Sequence, residues 1–75
     1  MKSRNNIRAG QLIIETRARF HDERAGRKVP RAGIIEETSA KKARIFFYIG
    51  PDDPLEIPLE RVQSQWKEWD GTVKT

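Results

Sequence analysis

The chain contains no cysteine, a single histidine (His21) and no long apolar run. Without cysteine there are no disulfides and no thiolate metal sites. One histidine cannot build an imidazole metal cluster. No segment approaches the roughly 18 consecutive apolar residues of a membrane span. Met1–Arg8 holds three cations with no apolar segment after it, so no signal peptide is expected there. Together these features lead to the expectation of a cytoplasmic protein without membrane contact.

Catalytic signatures are also missing. There is no phosphate loop, dinucleotide fingerprint or activated-serine constellation. His21-Asp22-Glu23 sets a base beside two acids, but sequence neighbours seldom converge on one reacting atom. Asp52-Asp53 lies between two prolines and reads as turn chemistry. Glu36-Glu37 offers carboxylates alone, a poorly specified metal site. A non-enzymatic protein is expected, and no cofactor is implied.

What the chain does have is charge. Charged residues make up 35% of its 75 positions, and the formal net charge is +4. The distribution is uneven. Residues 1–33 carry nine Lys/Arg and three acids, whereas residues 34–75 carry six Lys/Arg and eight acids. A basic half suits a polyanionic partner. Seventy-five residues make one domain that buries only about 60% of its unfolded surface. The expected organisation is a flexible basic arm over 1–9, a single domain over 10–71 and a tail over 72–75.

The hydrophobic pattern is mostly period two. Leu12, Ile14, Thr16, Ala18 and Phe20 alternate with Ile13, Glu15, Arg17, Arg19 and His21, which predicts a long first strand with Ile13 as the exception. A helix over 11–25 stopped by Gly26 is the competing reading. A short echo between "RAGQLIIE" at 8–15 and "RAGIIEE" at 31–37 favours the strand. The charged stretch "HDERAGRKVP" (21–30) reads as a loop. A second strand is expected over Arg31–Thr38, a turn at 38–42 and a third strand over Ala43–Ile49. "GPDDP" (50–54) is a turn, followed by a short fourth strand from Leu55 that Pro58 assigns to an edge. The period then changes. Leu59, Val62, Trp66 and Trp69 are spaced as one face of a helix, so "PLERVQSQWKEWDG" (58–71) predicts a helical turn or helix.

The succession "GQLI", long loop, "RAGIIE", turn, "ARIFFYI" and "LEIPLERV" resembles SH3-like small barrels of the Tudor, KOW and photosystem I reaction-centre subunit IV types. The resemblance spans about residues 8–62 and concerns the fold alone. It implies a mainly β domain: a small SH3-like barrel or strongly bent antiparallel sheet with a C-terminal helical element.

Two surfaces are candidates for function. Arg24, Arg27, Lys28 and Arg31 cluster in or beside one loop, and Arg17 and Arg19 would share the outward face of the first strand. Arginine and lysine neutralise phosphates. Arg44, Phe46 and Tyr48 alternate on one face of the third strand, an arrangement suited to base stacking. The competing reading places Phe46 or Tyr48 in the core, under the C-terminal helix. These residues point to a nucleic-acid-binding accessory protein that holds phosphates and reads bases little. The alternative is an adaptor or modulator module that docks on a larger protein assembly through Trp66 and Trp69, unless those rings pack into the barrel. A homodimer is also compatible with a domain too small to cover its apolar surface.

Overall fold

The computed structural model describes residues 7–72, so most of the expected basic arm and C-terminal tail lies outside the described residues. The elements in order are β1 (Leu12–Glu15), β2 (Phe20–Asp22), β3 (Arg27–Val29), β4 (Ala32–Thr38), β5 (Lys42–Ile49), β6 (Leu55–Pro58), α1 (Leu59–Gln65) and β7 (Trp66–Glu68). Five strands form one antiparallel sheet in the order β6-β5-β4-β1-β7, and β2 and β3 form a separate two-stranded hairpin. The domain is mainly β, as its period-two pattern predicts. Among the described residues β6 and β7 do not pair with each other, so the sheet is not closed.

The alternation of β5 sorts its side chains. Ala43, Ile45 and Phe47 are buried, while Arg44, Phe46 and Tyr48 are exposed. The buried set packs with Ile13, Ile35, Ile57, Val62 and Trp66 in one core. Gly33 lets β4 and β5 come together, because a Cβ there would run into the Phe46 carbonyl oxygen. Register shifts fall at the Ala32/Gly33 and Ile35/Glu37 steps, and bulges of this kind bend a sheet. Pro58 ends the edge strand β6, where a missing ladder donor costs least.

Three expectations need correction. The long first strand stops at Glu15. Its phase is also reversed: Ile13 and Glu15 are buried, and Arg17 and Arg19 lie beyond the strand, on no strand face. The cause is visible at the strand end. Glu15 turns inward to bind Arg31, and Thr16 N–H donates to the Gln65 carbonyl at 2.9 Å. Past this tie the chain leaves the sheet. Second, the loop at 21–30 is largely the β2–β3 hairpin, with Phe20 opposite Val29 and Asp22 opposite Arg27. Gly26, at φ 68°, makes its turn, and its N–H donates to the Asp22 carbonyl at 2.8 Å. Third, the C-terminal helix is a two-turn segment. Trp66 caps it in extended conformation, at φ −126° and ψ 156°, and starts β7. Pairing with β1, where Trp66 lies opposite Glu15, competes successfully with further helix. Burial of the indole is the gain.

Candidate nucleic-acid interface

Strand β5 divides its outer side into a charged half and an aromatic half. In the charged half, Arg44 Nη1 lies 3.3 Å from Glu37 Oε2 and its Nη2 3.7 Å from Glu56 Oε2. Lys42 Nζ is 3.8 Å from Glu56 Oε1. Arg44 is thus already flanked by two carboxylates. In the aromatic half, Phe46 is 38% and Tyr48 56% exposed. The C-terminal helix does not cover them, which settles the competition stated above against a core role. Their rings meet edge to face, with centroids 5.6 Å apart.

Trp69 extends this row. Its ring centroid is 6.0 Å from that of Tyr48, at 42°. Two backbone contacts hold it: its amide donates to the Leu12 carbonyl at 3.1 Å, and its indole Nε1 donates to the Thr72 carbonyl at 3.0 Å. Trp66 behaves differently. It is 6% exposed and packs against Phe47. Its Nε1 has no hydrogen-bond partner among the described residues. Of the two tryptophans expected at a docking surface, only Trp69 is available to a partner.

The hairpin and the segment leading into it supply the cations. Arg17, Arg19, Arg24, Arg27 and Lys28 are all exposed. The ion pairs within 4 Å among the described residues involve Arg31, Lys42 and Arg44 and none of these five. Arg31 stands apart from them. Its Nε and Nη2 donate to the two Glu15 carboxylate oxygens at 3.0 and 2.9 Å, and its backbone N–H donates to Glu15 Oε1 at 2.8 Å. Its guanidinium lies 5.5 Å from the Phe47 ring centroid and 5.4 Å from that of Trp66. This clamp joins the end of β1 to the start of β4 and closes the neck of the hairpin. Sequence reasoning missed Glu15. The signal was the Ile13 exception, which marked the other phase of the strand as the buried one.

An open groove of about 1340 Å³ runs between these parts. The hairpin contributes Phe20, Asp22, Glu23, Arg24, Arg27 and Val29, and β5 contributes Phe46 and Tyr48. The turn after β5 and the segment after β7 complete it with Pro51, Asp52, Trp69 and Asp70. The groove therefore brings together the aromatic pair and part of the cationic cluster, and it adds Trp69. It does not bring in Arg17, Arg19, Lys28, Arg31 or Arg44. His21 and Asp22 alternate along β2, and Asp22 Oδ1 accepts the Arg24 N–H at 3.0 Å. Among the described residues no group of three His, Asp or Glu side chains could hold a metal, and no helix is long and apolar enough to cross a membrane.

No family model matches this chain, and neither does any curated protein or solved structure.

Proposed function

We propose that this protein is a small, non-enzymatic nucleic-acid-binding domain of the SH3-like type, acting in the cytoplasm as an accessory to a larger process. The fold reading is supported by the strand order β6-β5-β4-β1-β7, with a long hairpin between the first and second sheet strands. A short helix precedes the last strand, which pairs with the first. The functional reading is carried by one observation. Five exposed cations, in no ion pair among the described residues, occupy residues 17–28, and two of them, Arg24 and Arg27 of the hairpin, line the same groove as the exposed rings of β5. Exposed Lys and Arg release counterions when they meet phosphates, and this supplies most sequence-independent affinity. Presenting them on a hairpin clamped at its neck limits the order that binding must impose.

The test replaces Arg24, Arg27 and Lys28 together with alanine. The slope of log affinity against log salt on a generic DNA duplex is expected to fall by roughly two to three units, near 0.9 per lost phosphate contact. The fold is expected to persist, because the three side chains are solvated. An unchanged slope removes the hairpin from the interface. Absence of binding by the unmodified protein at low salt overturns the nucleic-acid reading.

A further inference from the structure

We infer that the groove selects single-stranded over double-stranded nucleic acid, because Tyr48 and Trp69, with Phe46 beside them, form a floor on which unpaired bases stack. The inference rests on the nucleic-acid reading above and names the form of polymer bound. Trp69 enters as a binding residue by its contact with Tyr48.

Two observations lead there. The first is spacing. The ring centroids along Phe46, Tyr48 and Trp69 are 5.6 and 6.0 Å apart, against roughly 3.4 Å between successive bases of one duplex strand. Stacked duplex bases do not match that spacing. Bases of an extended strand, splayed apart, can each meet a ring. The second is orientation. The rings are turned 82° and 42° from one another, so each offers a separate surface, whereas continuous stacking requires parallel ones. Base π-faces are hidden inside a duplex and open in a single strand.

The experiment compares a ten-nucleotide oligothymidylate with a ten-base-pair duplex at one low salt concentration. The proteins are the unmodified chain, Tyr48→Ala, Tyr48→Ala with Trp69→Ala, and Tyr48→Phe with Trp69→Phe. The unmodified protein is expected to bind the single strand more tightly. Losing a ring is expected to weaken that binding about 5- to 150-fold per ring, from roughly 1–3 kcal/mol per stacked base. Duplex affinity is expected to stay within about twofold, and the phenylalanine pair to restore most single-strand binding. Tyr48→Ala keeps the test open if the double variant does not fold. Equal loss on both polymers, unchanged single-strand affinity, or tighter duplex binding by the unmodified chain overturns this inference and leaves phosphate binding by the hairpin standing. Binding of neither polymer overturns the underlying reading instead.

Discussion

Two aromatic pairs with nearly the same geometry occupy opposite sides of one strand. Phe47 and Trp66 lie 6.2 Å apart at 39°, and Tyr48 and Trp69 lie 6.0 Å apart at 42°. β5 supplies a ring to each because adjacent strand residues point to opposite faces. What differs is the surroundings. The inner pair is buried beneath Arg31, whose charge is matched by Glu15. In the outer pair Tyr48 is exposed and Trp69 half-buried, beside Arg24 and Arg27, which are in no ion pair among the described residues. Ring geometry alone therefore does not distinguish a core from a binding floor. Charge compensation and burial do, and they assign stability to the inner side and, under the proposed function, recognition to the outer.

The strongest test of that division is the two tryptophans. Trp66→Ala is expected to cost about 3–5 kcal/mol, the usual loss for a buried aromatic. A 75-residue domain has only about 4–11 kcal/mol in total, so the variant will be largely unfolded on mild heating. Trp69→Ala is expected to cost less, about 1–2 kcal/mol, since Trp69 is only partly buried. Urea denaturation of both variants, read by far-ultraviolet circular dichroism, measures the difference. Equal losses would break the comparison.

The sheet was legible where alternation and turn chemistry agree. β4, β5 and the edge strand β6 follow directly from "GIIE", "ARIFFYI" and "LEIP" between their turns. The ends of the sheet were less legible, because long-range pairing decides them. Leu59, Val62, Trp66 and Trp69 keep helical spacing, yet Trp66 leaves the helix to pair with β1. The local pattern carries no information about that partner. Likewise, alternation continues from Leu12 to Phe20, but Glu15 ends the strand because its carboxylate meets Arg31 sixteen residues away. The candidate site was half legible. Arg24, Arg27, Phe46 and Tyr48 do share a groove. Arg31 and Trp66 carry the same residue types and lie inward, where composition cannot separate a clamp from a contact. The Trp69–Tyr48 contact joins β5 to the segment after β7, and only the folded chain brings those together.

The clamp gives the intermediate effect. Glu15 is 3% exposed and accepts three hydrogen bonds from Arg31. Breaking a buried pair from one side costs about 3–5 kcal/mol when the remaining charge is fully enclosed. The Arg31 side chain keeps 23% of its exposure and can recover some water, so Glu15→Ala is expected to cost about 2–3 kcal/mol. Glu15→Gln keeps one acceptor for the backbone N–H and is expected to cost less. Denaturant midpoints of the two variants check the order. A smaller loss for alanine than for glutamine would mean that the pair contributes nothing as a pair and that the inner cation needs no partner.

The smallest effect belongs to the outer cation that does have partners. Arg44 pairs with Glu37 at 3.3 Å and Glu56 at 3.7 Å, and all three side chains are well exposed. It thus resembles Arg31 in bridging strands and differs from it in facing water. Exposed pairs gain little Coulomb energy in a high dielectric, and holding long side chains in place costs entropy. Arg44→Ala is expected to shift stability by no more than about 0.5 kcal/mol. Adding salt should erase even that, since the charges are screened within about 10 Å at 0.1 M. The measurement is the unfolding midpoint of Arg44→Ala and the unmodified chain at low and high salt. A loss near that of Glu15→Ala, or one that survives high salt, would show that the outer ladder holds the sheet together as the inner clamp does. The division between a stabilising inside and a recognising outside would then fail at its weakest point.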